Sequence, residues 1–468
     1  MLKMKTIIRK YKFVIGFACI TVIVGFYLIY PSNFKKPNII LIVVDSLRPD
    51  HLGCYGYYRN TSPNLDFFSR EAVIFKNAFA PSSWTVPSVA SFITSSYPSE
   101  HEMFKTMSYS PNGIYMNPSK ISLAELLKKN GYVTRLVTDM PALFLISGIT
   151  RGFDSFISAG FNNPGMTTES SINWIKQNKN RKFFIFVHYF GTHFPYFPNL
   201  ANQIKEPLRK DDIFIPLKDD DNIFATISKN ARDDNISSLN HYINNYDGKI
   251  LYVDKQIGGF LQNIKALNLE KNTIIIITSD HGEGFGEHYL YCEHGYILYD
   301  EIIKVPLIIK FPDKWFNKRI IMNPVDLLDL VPTILDYLNI KGFSCRGISL
   351  MSLIKGSLDS KNRINYSEEP KINACITNGK YKLIYNMQMH PSRRKYLPSS
   401  EFELYDLVED PQEHNNLSDK EVIIFGSLQK HLLNILTSLK VSETLNQQPP
   451  LNIKAEDADK LKSLGYLE

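Results

Sequence analysis

The sequence predicts an α/β protein in which a mostly parallel sheet is flanked by helices and followed by a small antiparallel subdomain. Three observations carry this. Residues 38–44 (NIILIVV), 183–187 (FFIFV) and the four isoleucines of the run 273–283 (TIIIITSDHGE) are continuous apolar stretches bounded by turn residues, the pattern of strands covered on both faces. Helix signals fall between them, the alternation expected of parallel β-α-β units. Two of the runs lead into an acid, Asp45 and Asp280, at the carboxyl edge where open α/β sheets bind ligands.

Taken in chain order, the first element is a membrane anchor. Lys3, Lys5, Arg9, Lys10 and Lys12 precede residues 13–30, which contain no charge, so 1–12 reads as a cytoplasmic tail and 13–30 as a short spanning helix. A cleaved signal peptide is the competing reading, but Leu28, Ile29, Tyr30 and Pro31 make a poor cleavage site. Everything after Pro31 is therefore expected outside the cytoplasm. The 38–44 strand follows, then a helix opened by Ser62 and Pro63 in cap-then-proline order. Ser122 with Glu125 forms a capping box for a helix that stops near Gly131. Residues 196–249 turn polar, with DDD and RDD runs and many Asn, and read as an insertion over one edge of the site. Residues 305–309 supply a further strand, and 325–338 has helical periodicity around Pro332. Beyond about 341 the pattern changes to short strands at 380–385 and 402–407, so the expected division is a main domain at 37–340 and a C-terminal subdomain with tail at 341–468.

Composition narrows the functional classes. With 468 residues and 44% hydrophobic content the chain can bury a large core. The net charge of +6 is mild and the cations are scattered, which argues against nucleic-acid binding. Of five cysteines, Cys19 lies in the expected anchor, while Cys54, Cys292, Cys345 and Cys375 allow one or two bridges whose pairing the spacing does not select.

The SDHGE turn at 279–283 has two readings. In one, Asp280 and His281 project from the sheet edge as metal ligands; in the other, Asp280 caps a turn and His281 packs locally. Residues 81–98 (PSSWTVPSVASFITSSYP) place Thr85 at the start of a small-residue helix. Backbone N–H groups and the helix dipole there favour an anion, although an ordinary capping threonine has the same signature.

The order of motifs along the chain resembles the sulfatase family of the alkaline phosphatase superfamily. The stretches are NIILIVVDSLRPDHLGCYGY, SPNLD, FKNAFAPSSWTVPS, TSSYPSEH, NGYVT, RGFDSF, HYFGTHFPY, YVDKQIG, SDHGEGFGEH, KVPLIIK, VDLLDLVPTILD, YKLIYN, ELYDLVEDPQEHNNL and LKSLGYLE. The resemblance implies an alkaline-phosphatase-like sheet and a divalent metal bound by Asp45, Thr85, Asp280 and His281. It further implies that His193 and His294 contact the transferred group, with Glu283 and His288 orienting the loop from behind. Carboxylates with an imidazole suit Zn or Mn better than Ca, which favours all-oxygen shells; many sulfatases that use calcium carry Asn where His281 stands.

The chain departs from the family pattern at the nucleophile. Formylglycine-dependent sulfatases carry Cys or Ser, then one residue, Pro, Ser and Arg; here Thr85-Val86-Pro87-Ser88-Val89 stands, and threonine cannot become formylglycine. Ser46 replaces a second acid, and LVTDMPALF replaces a stretch whose Lys and His grip sulfate. A threonine ester must be opened by water or an acceptor, as in the superfamily's phosphotransferases and phosphodiesterases. The expectation is a membrane-anchored, metal-dependent hydrolase or transferase of phosphate or sulfate esters, phosphoryl chemistry ranking modestly ahead. Thr85 is the expected nucleophile, and the substrate is a small ester, a lipid headgroup or a glycan. The rival is a catalytically silent sulfatase-like protein that binds anionic glycans or lipid headgroups.

Overall fold

A computed structural model describes residues 36–439 apart from 104–115, 197–198, 209–210, 217–223, 228–235, 357–362, 389–395 and 397–399. The expected cytoplasmic tail and anchor, with Cys19, and the terminal LKSLGYLE lie outside the described residues. Among the described residues no helix is long and apolar enough to cross a membrane.

The central sheet has eight strands: β1 (Asn38–Val44), β2 (Val73–Phe79), β3 (Val133–Thr138), β4 (Ser155–Ser158), β5 (Phe183–Tyr189), β6 (Thr273–Thr278), β7 (Lys304–Lys310) and β8 (Arg319–Asp326), in the order β4-β3-β5-β1-β6-β7-β2-β8. Only β7 runs antiparallel to its neighbours β6 and β2. The continuous apolar runs are explained by burial on both sides. Ile39, Leu41 and Val43 of β1 face one core with Phe184, Phe186, Ile274 and Ile276, while Ile40, Ile42 and Val44 face another with Ile185, Val187, Ile275 and Ile277. Side chains alternate across a strand, so two cores demand apolar residues at every position. Helices Thr85–Thr94, Leu123–Lys129 and Leu330–Tyr337 cover the first face; Pro63–Ser69, Pro164–Asn178 and Leu239–Ala266 cover the second.

Register sets the functional edge. Val43 pairs with Thr278 of β6 and with His188 of β5, so two residues further on Asp45 and Asp280 come level, with His188 beside them. The smaller sheet is antiparallel, in the order β12-β11-β10-β9, from β9 (Asn365–Glu369), β10 (Asn373–Thr377), β11 (Tyr381–Asn386) and β12 (Phe402–Asp406). Helix Val422–Ser438 packs on it through Leu428 and Leu432. Both sheets lie in one compact unit that begins at Asn38.

Several local expectations need correction. The helix expected over 325–338 starts at Leu330: Val325 and Asp326 finish β8, and Asp326 then caps a one-turn helix with Asp329. The polar insertion ends before 239, because Leu239–Ala266 is one long helix whose Tyr242 and Tyr246 are buried. The four cysteines of the described region form no bridge: Cys292 packs in the second core, Cys375 in a third cluster under the small sheet, and Cys345 donates to the Gly347 carbonyl.

Candidate active site

The carboxyl ends of β1, β5 and β6 and the first turn of the Thr85–Thr94 helix meet in one buried cluster. The Thr85 hydroxyl lies 3.3 Å from Asp45 Oδ2 and 3.1 Å from His281 Nε2. His281 Nε2 is in turn 3.7 Å from Asp45 Oδ1 and 3.7 Å from Asp280 Oδ2. Its Nδ1 sits 2.8 Å from the Gly282 carbonyl; a carbonyl only accepts, so Nδ1 carries a hydrogen and Nε2 is the ring atom turned toward the acids. The four residues Asp45, Thr85, Asp280 and His281, expected to act together, are thus brought together.

Ser46, where the family pattern has an acid, ties the two aspartates. In a left-handed conformation (φ 55°), its backbone N–H donates to Asp280 Oδ1 at 3.2 Å and its hydroxyl to Asp45 Oδ1 at 2.8 Å. Tyr246 of the long helix fixes this turn by donating to the Ser46 carbonyl. Ser279 links the strand ends by donating to the Val44 carbonyl at 2.6 Å and accepting from Leu47 N–H at 2.8 Å.

His193 and His294 line the same space. His193 Nδ1 donates to the Phe194 carbonyl at 2.5 Å and its ring stacks on Phe190 with centroids 4.4 Å apart. The His294 ring lies parallel to His281 at 4.2 Å and edge-on to His193 at 4.9 Å and Trp84 at 5.1 Å. Gly295 permits that wall: its φ is +78°, and a Cβ there would lie 2.2 Å from the Trp84 ring. Glu283 points inward, its Oε1 3.7 Å from His294 Nδ1, whereas His288 faces away to Glu301 and Glu413.

Sequence reasoning missed His188. Its Nε2 lies 3.6 Å from Asp45 Oδ2 and its Nδ1 3.1 Å from the Thr138 hydroxyl. Ligand atoms of Asp45, His188 and Asp280 all fall within 4.8 Å of one another. The one sequence cue, FFIFV running into this histidine, does not distinguish a packed ring from a ligand.

The residues fit a divalent cation. Six buried polar atoms of this cluster lack a hydrogen-bond partner: Asp280 Oδ2, His188 Nε2, His193 Nε2, both His294 nitrogens and Glu283 Oε1. Buried groups of this kind call for an ion or ligand. Burial, and then the neighbouring Asp280, push the Asp45 carboxyl well above its usual range, the repulsion that a cation between them removes. Burial lowers His188 and His193 to about 4 and His294 well below its usual range, leaving the rings neutral with lone pairs available. Oxygen and imidazole donors together suit Zn or Mn.

Anionic esters are the substrates that such a site, a hydroxyl on a helix N-terminus beside converging charges, is built to receive. Fold and site together define the class: an ester hydrolase on an alkaline-phosphatase-like sheet. Family comparison agrees. The Sulfatase family model matches residues 37–340, and the model for the C-terminal part of N-sulphoglucosamine sulphohydrolase matches 286–442. The chain belongs to the sulfatase family, and its enzyme class is sulfuric ester hydrolase. It is 27% identical over 435 residues to the ulvan-active sulfatase of Formosa agariphila, covering 85% of this chain and 80% of that protein. It is 24% identical to the N-acetylglucosamine-6-O-sulfatase of Bacteroides thetaiotaomicron, covering 86% of each. The phosphonate monoester hydrolase of Agrobacterium radiobacter shares the fold, with a TM-score of 0.67 at 19% identity over 90% of this chain and all of that one.

Proposed function

We propose that this protein hydrolyses sulfate esters, those of a sulfated glycan foremost, through direct attack by Thr85. The observation that carries the reading is the Thr85 hydroxyl at a helix N-terminus, within 3.3 Å of Asp45 and 3.1 Å of His281. Relatives that act on ulvan and on 6-O-sulfated N-acetylglucosamine support the glycan class. Asp45, Thr85, Asp280 and His281, with His188, would hold a divalent cation, Zn or Mn by donor chemistry. When bound, that ion lowers the pKa of a coordinated hydroxyl and offsets charge on the ester oxygens. Thr85 attacks sulfur, passing its proton to the carboxylate it already faces, and the bond to the alcohol oxygen breaks. His193 and His294 rest neutral; each would take up a proton from solvent as the anionic ester enters, steady the ester in that form, and one would then give its proton to the leaving alcohol oxygen. Water then opens the threonine sulfate and regenerates the hydroxyl. In the same reading, residues 13–30 anchor the chain and the site works outside the cytoplasm.

Phosphate and phosphonate monoesters are the second reading, carried by Thr85 itself, because the formylglycine route is closed to it. The test uses p-nitrophenyl sulfate, p-nitrophenyl phosphate, bis(p-nitrophenyl) phosphate and phenyl phosphonate, with mass analysis of quenched protein for an adduct on Thr85. Turnover of the sulfate that disappears in Thr85→Ala is the expected result. Turnover confined to phosphorus esters selects the second reading, and full activity of Thr85→Ala on any ester overturns the mechanism.

A further inference from the structure

We propose that Glu369, delivered by the small C-terminal sheet, is a positioning residue for the Thr85 hydroxyl. This rests on Thr85 being the nucleophile and concerns what holds it in place. The loop from β2 to the Thr85–Thr94 helix is gripped along its length by β9. Ser367 donates to the Ala80 carbonyl at 2.7 Å and Glu368 N–H to the Pro81 carbonyl at 3.0 Å. Glu369 Oε1 then accepts three bonds: from Ser82 Oγ at 2.5 Å, Ser83 N–H at 2.8 Å and Ser83 Oγ at 2.7 Å. Ser82 and Ser83 are fully buried and Glu369 is 2% exposed, so water cannot replace that acceptor.

The neighbouring carboxylate, Glu368, holds the far side of the same segment. It accepts from Ser99 N–H at 2.8 Å and Ser99 Oγ at 2.6 Å, five residues beyond the end of the Thr85–Thr94 helix. Adjacent residues of β9 therefore clasp the chain on either side of the helix that bears Thr85. Glu369 is the one aimed at the catalytic end: Ser83 is followed by Trp84, whose ring meets His294, and then by Thr85. A slip of this loop moves the nucleophile and the wall of the site together. Misplacement of a reacting group by about 1 Å costs on the order of 100-fold in rate.

Wild type, Glu369→Ala, Glu369→Gln and Thr85→Ala are compared on p-nitrophenyl sulfate and p-nitrophenyl phosphate, with thermal midpoints and amide hydrogen exchange at Ser83. Glu369→Ala is expected to lose on the order of 100-fold in kcat with KM within about threefold, and to speed exchange at the Ser83 amide. Glu369→Gln, whose amide oxygen accepts the same bonds, is expected to restore most of kcat and the protection. Wild-type kcat in a folded Glu369→Ala protein overturns the proposal while Thr85→Ala still reports on the nucleophile. If Glu369→Ala does not fold, Gln decides: a folded Gln protein with kcat as low as that of Thr85→Ala overturns the proposal. Full activity in Thr85→Ala removes the reading on which it rests.

Discussion

At the scale of single residues, the site separates into what a motif can reveal and what only register can. The apolar runs placed Asp45, Asp280 and His281 at the sheet edge and the small-residue stretch placed Thr85 at a helix start, but only the family resemblance joined them into one site. His188 was not legible. A histidine closing an apolar strand looks the same whether it packs in a core or joins a metal site, and only its pairing opposite Val43 brings it beside Asp45. His188→Gln is expected to weaken Zn or Mn binding by about 10- to 100-fold, read by calorimetric titration of metal-stripped protein. Unchanged affinity would remove His188 from the metal site.

At the scale of elements, one of two local capping signals formed its bonds: the helix at Pro63 begins where Ser62 and Pro63 placed it, but Ser62 makes no side-chain cap bond there. Ser122 and Glu125 form the capping box the spacing announced, with Ser122 N–H 2.8 Å from Glu125 Oε2. Boundaries failed where tertiary packing decides: the start of the long helix is polar in sequence, and its burial comes from Tyr242 and Tyr246 meeting distant loops. The loop after β6 is braced by another long-range contact. His288 stacks on Tyr299 at 3.5 Å, and its two ring nitrogens face Glu301 Oε1 at 2.7 Å and the Glu413 carbonyl at 3.2 Å. Burial alone would depress this imidazole, but Glu301, and then Glu413, carry it up to about 9. A folded-state value above the unfolded 6.5 stabilises fully below about pH 6.5, and the benefit fades as pH rises through about 9. Denaturant unfolding should find His288→Gln less stable than wild type by roughly 2–3 kcal/mol near pH 6, with the gap closing above about pH 9. A gap independent of pH would mean that the ring acts by packing alone.

At the scale of the whole molecule, the two-faced central sheet was legible from its strands, whereas the role of the small sheet was not, because its link to the site runs through side chains hundreds of residues apart. On the proposed reading of the site, a cation between Asp45 and Asp280 would remove the repulsion that helps raise the Asp45 carboxyl, and so would stabilise the fold. Stripping with a chelator should lower the thermal midpoint, and metal at about a hundredfold over its dissociation constant should restore on the order of 3 kcal/mol. An unchanged midpoint would count against a resident metal. The clasp of Glu369 on Ser82 spans 287 positions of sequence. At synthesis rates of about 5–20 residues per second, the threonine emerges roughly 15–60 s before the carboxylate that sets it. On the role proposed for Glu369, a chain still on the ribosome would carry its Thr85 hydroxyl unset until the small sheet has been made.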